Sequence, residues 1–365
     1  MSFGDVRVAE RADWLIERVA TAGTLVLRKL GETRAGEKAV HRFLSSPHVS
    51  AERIVETLAA RTAVQCAGRR ILAVQDTTEI NFSGRDKKRR GFGPAGDGKT
   101  PGFFIHPVIA VDIESEAVVG LVDAAIWTRS ADRVGSRRSR AIEDKESARW
   151  LSGCQAAAGV LSDAAEVTMV ADRESDIYLL FARKPNRLDL IVRAGQDRSL
   201  ADGGTLFEAL GGAEPLSRSD VRVAPRGPGD KGRVANVELR AGSVRIARSQ
   251  ALGRSEAPDS VELTLVEARD QCSARQSTDA LALAHNPQGY LRCAGRRHRP
   301  ALPLALAHRA NLPRTQERRF GPRRQSSHRR RAYVQSHRHW AGWRHSYDPA
   351  CRRQRRRPSP GNRCH

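Results

Sequence analysis

Between residues 70 and 195 the chain alternates apolar runs with polar breaks in an order that few folds accommodate. RRILAVQDTTEINF is rich in β-formers and carries Asp76 at its end. HPVIAVDIESEAVVGLVDAAIW places two Val/Ile runs around the polar turn ESE, the pattern of a hairpin. EDKESARWLSGCQAAAGVLSDA is Ala-rich and amphipathic, as a helix requires. EVTMVADRESD is a second short apolar strand ending in an acid, Asp172, and DIYLLFARK (helical) and DLIVRAG (strand) follow. Three strands, helix, strand, helix, strand predict an α/β fold of the ribonuclease-H-like type, a mixed sheet flanked by helices.

Residues 1–65 read as a small helical domain ahead of this core. RADWLIERVATAGTLVLRKL spaces Trp14, Leu15, Val19 and Leu25 near a helical period, and Ser50 is an N-cap for VSAERIVETLAARTAV. Residues 66–198 form the predicted core. Residues 199–270 hold the alternating segments VRVAP, VANVELRA, SVRIA and VELTLVEA, broken by Gly, Pro and Asp, and read as a β-rich insertion.

Charge divides the chain differently. The net formal charge is +22, yet residues 271–365 hold 22 Arg, no Lys and only three acids. The first 270 residues carry 41 basic against 38 acidic side chains, so bulk charge says little about the partner of the folded part. No run of eighteen apolar residues is present, and MSFGDVRVAERADW has charges where a signal peptide needs an apolar centre. Six Cys without a CxxC pair suggest neither a disulfide framework nor a zinc ribbon, so a reducing cytoplasmic setting is expected.

Asp76 and Asp172 each follow at least three apolar residues and so belong at the ends of buried strands. On neighbouring strands two such carboxylates offer hard oxygen ligands to Mg²⁺, with Mn²⁺ as a substitute. Paired ions of this kind cleave phosphodiesters, and a third carboxylate is needed to complete the cage. Taken alone, each Asp is better explained as a turn or helix cap, Asp172 especially, and only its context makes the pair persuasive; Glu79, Glu174 and Asp176 carry the same ambiguity. GPAGDGKT at 93–100 satisfies the phosphate-loop pattern letter for letter, but RDKKRRGF precedes it and Pro101-Gly102 follows it. Without a strand before and a helix after, the backbone N–H groups have no reason to converge on phosphate. The stretch reads as a Gly-rich basic loop in which Lys87, Lys88, Arg89, Arg90 and Lys99 either track a DNA backbone or simply face solvent.

AVHRFLSSPHVSAERI, LAVQDTTEINFS, GFFIHPVIAVD, EDKESARWL and VADRESDIYLLF occur in an order that resembles the bacterial insertion-sequence transposases of the insertion-sequence-four family, the hairpin-forming cut-and-paste class. The resemblance runs from about residue 7 to 270. It implies that Asp76 and Asp172 are the first two members of an Asp-Asp-Glu metal triad, and that the N-terminal helices touch double-stranded transposon-end DNA. By the same resemblance Arg42 contacts phosphate, and Arg173 positions DNA or groups at the metal site. The implied setting is the bacterial cytoplasm, in association with the nucleoid.

From residue 271 the pattern stops. The family continues with a Trp-bearing strand and a Tyr-x-x-Arg-x-x-x-Glu helix, and neither is present in this chain. Plausible codons for residues 299–314, read one base later, give DRRYRSRWRIEQIF, which restores the second motif. Residues 276–282 likewise give NPLTHWR, which restores a Trp. A frameshift between about 270 and 276 accounts for both, and predicts that the third metal ligand and the dimerising helices are lost. The tail is then expected to be a disordered basic segment, with clusters such as RRQRRR at 352–357 holding nucleic acid only through phosphate charge. A tail that is a basic binding arm in its own right is the competing reading.

Overall fold

The computed structural model describes residues 3–82, 91–96, 100–129, 148–223, 225, 229, 231–250, 252–253, 255–270 and 280–285. The fold is α/β. Four helices come first: α1 (Val6–Ala22), α2 (Leu27–Gly31), α3 (Arg34–Leu44) and α4 (Ala51–Cys66). The sequence suggests one continuous helix over residues 11–30, but α1 stops at Ala22. Gly23 adopts φ 58°, ψ 28° there, and its N–H donates to the Val19 carbonyl, a left-handed helix stop. Ser50 caps α4 as expected, its side chain accepting from the Arg53 N–H. Phe3, Ala12 and Phe43 form a small core that joins α1 and α3 to the start of α4.

The strands are β1 (Arg70–Gln75), β2 (Thr78–Asn81), β3 (Gly93–Pro94), β4 (Pro101–Asp112) and β5 (Val118–Trp127), then β6 (Glu166–Ala171) and β7 (Asp189–Arg193). Helices α5 (Ala148–Val160) and α6 (Tyr178–Arg183) fall among them. β1 runs antiparallel to β4 but parallel to β6, and β6 runs parallel to β7. The central order is therefore β5-β4-β1-β6-β7. One face buries Ile71, Ala73, Val108, Ala110, Val167 and Met169 against Trp150, Cys154 and Ala157 of α5 and Leu179 and Leu180 of α6. Leu72, Val170 and Ile191 form a smaller cluster with Val74, Val111, Ile113 and Val266.

The insertion makes β8 (Ser217–Val223), β9 (Arg233–Ala247) and β10 (Ser260–Asp270), all antiparallel. VANVELRA and SVRIA, read as separate segments, are one strand that runs through Gly242. β11 (Ala280–His285) then lies between β7 and β10, antiparallel to both, and joins the insertion to the central sheet. The expectation of disorder from residue 271 onward is corrected for these six residues. β7 and β10 both present unpaired backbone groups, and ALALAH, free of Gly and Pro, can satisfy both edges at once. The remainder of the tail lies outside the described residues.

Candidate functional site

β1 and β2 lie along the same edge of β4 in a single register: Gln75 faces Val108, and Thr78 faces Ile105. Carried through, that register sets Asp76 opposite Pro107 and Thr77 opposite His106. Pro107 has no N–H to give, so the ladder loses a donor where Asp76 sits and the chain is released from the sheet between the strands. The parallel pairing Arg70↔Glu166 through Val74↔Val170 has a constant offset. Extended by two residues, it sets Asp76 beside Asp172. Both acids thus stand one step beyond the C-terminal ends of adjacent parallel strands, and alternation directs both away from the helix-covered face.

Asp76 is exposed, and its Oδ1 accepts from the Thr77 N–H at 2.8 Å. Asp172 is half-buried and caps a short 3-10 turn, Arg173–Ser175. Its Oδ1 accepts from the Glu174 N–H at 2.9 Å, and its carbonyl accepts from the Ser175 hydroxyl at 2.6 Å. The capping reading of Asp172 is therefore correct, and one carboxylate oxygen is enough to satisfy it.

The neighbouring acids have other work. Asp176 is buried, and its Oδ2 accepts from the Gly195 and Gln196 N–H groups at 2.8 and 3.0 Å. Its Oδ1 accepts from Arg198 Nε at 2.8 Å, so its role is to anchor the turn after β6 to the end of β7. Glu174 pairs with Arg149 at 3.3 Å. Glu79 accepts from the Asn81 amide at 3.1 Å. Among the described residues, no group of three or more His, Cys, Asp or Glu side chains is arranged to hold a metal ion.

Behind Asp76 lies a polar ring that the sequence reading did not single out. Arg149 Nε donates to the Thr77 hydroxyl at 2.8 Å, and that oxygen lies 2.9 Å from His106 Nδ1. His106 Nε2 is 3.1 Å from the Gln75 carbonyl oxygen, and the Gln75 amide donates to the Trp150 carbonyl at 3.4 Å. The Gln75 amide nitrogen donates to the Trp150 carbonyl, so its oxygen accepts and His106 carries a proton on Nε2; in the neutral ring Nδ1 then accepts from the Thr77 hydroxyl. Burial, then the nearby Arg149 charge, push the imidazole down to about 4, so it is neutral at physiological pH. The Trp150 indole meets the His106 ring edge-on at 4.5 Å, and the Arg149 guanidinium lies 5.2 Å from the Trp150 ring centre. The available signal in the sequence was one polar residue in each apolar run, Gln75 in ILAVQ and His106 in FFIHPVIAV.

Arg173 is exposed on the Asp172 turn, adjacent to the acid. Arg42 is exposed in the last turn of α3, which packs on α1 and α2. Lys87, Lys88, Arg89, Arg90 and Lys99 lie outside the described residues. Gly93–Pro94 pair back onto Pro101–Gly102, and the segment leads into a strand and not into the helix that a phosphate loop opens. Burial raises the Cys66 thiol and pushes Cys154 up to about 12, which favours the protonated form in both. No helix among the described residues is long and apolar enough to cross a membrane. No protein-family model matches this chain.

Proposed function

We propose that the chain descends from a DDE-type DNA transposase with a ribonuclease-H-like core, and that its cation site retains only two of three carboxylates. The observation that carries this reading is the in-register pair Asp76 and Asp172 at the ends of parallel β1 and β6. The β5-β4-β1-β6-β7 order around that pair supports the fold assignment. The donor set fits Mg²⁺, a hard cation that keeps several waters and takes one or two carboxylates together with substrate phosphate oxygens. Asp76 and Asp172 would hold it, and a bound divalent cation would supply water activation and stabilisation of a leaving 3′ oxygen. Arg173, exposed beside Asp172, is the proposed phosphate contact at this site. Arg42, Lys87, Lys88, Arg89, Arg90 and Lys99 are the proposed further DNA contacts. Double-stranded transposon-end and target DNA are the proposed partners, in the bacterial cytoplasm.

The absence of a third acid among the described residues favours a second reading, a transposon-end-binding protein without catalysis that competes with intact copies. Both are tested on DNA from the ends of the element that carries the gene. Weak Mn²⁺-dependent nicking that disappears in Asp76→Asn supports the enzyme reading. End-specific binding without nicking supports the competitor. Robust strand transfer would refute the defect, and neither cleavage nor end preference would sink both. Sequencing the gene tests the frameshift: an open second frame encoding the Tyr-x-x-Arg-x-x-x-Glu motif is expected.

A further inference from the structure

We infer that Thr77 is a positioning residue for the cation site, coupling Asp76 to the buried ring formed with His106, Gln75, Trp150 and Arg149. This rests on the reading of Asp76 and Asp172 as cation ligands. Thr77 and Gln75 flank Asp76 directly, and both side chains are bound into the ring on the helix side of the sheet. The backbone that carries Asp76 is thus pinned on each side, while its carboxylate is directed to the other face. Pinning is needed at this point because Pro107 cannot extend the β4 ladder to Asp76. The ring is also covalently short: it starts at the Arg149 side chain and closes on the carbonyl of the next residue, Trp150. A shift of the Asp76 turn must therefore break a hydrogen bond or move the start of α5. Arg149 carries the tie further, to Glu174 on the Asp172 turn at 3.3 Å. The two ligand-bearing turns are in this way connected through Thr77.

Groups that orient metal ligands from behind typically change affinity ten- to a hundredfold when removed. Thr77→Val is nearly isosteric and changes no charge, so it removes the hydroxyl without altering the field at the carboxylates. The probe is Mn²⁺ alone, titrated into the full chain and followed by electron paramagnetic resonance of the free ion. Wild type is expected to bind saturably, and Asp76→Asn with Asp172→Asn to abolish binding. Thr77→Val is expected to weaken binding roughly tenfold or more, and Thr77→Ser to restore it. Thermal unfolding without metal is recorded alongside, since a merely structural role lowers the melting temperature and leaves the affinity of the folded protein unchanged. Should Thr77→Val not fold, Gln75→Met breaks the ring on the other flank at similar volume and is expected to weaken binding likewise. Failure of wild type to bind, or binding that survives loss of both Asp, overturns the cation reading and this inference with it. Asp-dependent binding left unchanged by an unfolding-competent Thr77→Val overturns the inference alone.

Discussion

The turns after β1 and β6 carry equivalent acids at equivalent positions and are held in different ways. The Asp76 turn has the Thr77 N–H capped by Asp76 itself and is held by side chains from β4 and α5 that are distant in sequence. The Asp172 turn makes its own 3-10 structure, capped by Asp172 and anchored by Asp176. One turn is thus fixed by side chains of β4 and α5, and the other by a local cap together with the Asp176 anchor to the end of β7. Errors in the two should have different costs, and that difference can be measured.

The largest effect is expected at the anchor of the Asp172 turn. Asp176→Ala leaves two backbone N–H groups without their acceptor and takes the carboxylate from the mostly buried Arg198 guanidinium, which keeps its bond to the residue 176 carbonyl. Removing one partner of a buried ion pair costs about 3–5 kcal/mol, which urea denaturation will register as a lower midpoint at unchanged slope. A loss under about 1 kcal/mol would mean that the turn is not anchored there.

The Asp76 turn should instead fail in acid. His106 titrates near 4 in the fold and near its ordinary 6.5 when unfolded. Between those values the unfolded chain binds more protons, so stability rises with pH across this window. Its contribution is complete above about pH 6.5 and falls away as the pH drops towards 4, a loss of about 3 kcal/mol. Denaturation at a series of pH values should show this slope in wild type, and His106→Gln should flatten it. An identical slope in the variant would assign the acid sensitivity elsewhere.

An intermediate effect is expected where α5 crosses the ring. A Cβ on Gly153 would stand 2.5 Å from the Gln75 amide oxygen and 3.2 Å from Val108. Gly153→Ala should therefore cost about 1–3 kcal/mol, as overpacking does, despite the better helix propensity of Ala. A stabilised variant would show that the helix can move off Gln75.

These contrasts follow what the sequence made legible. Asp76 and Asp172 could be found because each ends an apolar run, a signal within a few residues. Ser50 was legible as a cap for the same reason. Gly23 was missed because a single Gly in a helical pattern is often tolerated, and its left-handed backbone is visible only in the fold. The ring was not legible, since Thr77 meets His106 only through the β1–β4 register and Arg149 arrives from a different element. β11 was passed over because Ala and Leu carry weak strand propensity and the tail around it has no apolar period. Local signals were readable, while those that depend on pairing register were not.

The smallest stability effect separates the two roles of Asp172. Asn caps as well as Asp, so Asp172→Asn should preserve the bond to the Glu174 N–H and change stability by less than about 0.5 kcal/mol. Asp172→Ala loses that acceptor and should cost about 1 kcal/mol. If the carboxylate serves only the turn, Mn²⁺ binding will follow stability, nearly intact in the Asn variant and reduced in the Ala variant. If it is a ligand, both variants will lose the ion equally, because an amide brings neither the charge nor the second carboxylate oxygen. Asp76→Asn supplies the reference for the other turn, where the acid accepts from the N–H of its neighbour Thr77. Equal loss of Mn²⁺ in Asp76→Asn and Asp172→Asn, with stability held in both, is the expected result. Retained binding in Asp172→Asn would leave that residue as a cap and Asp76 without a partner carboxylate.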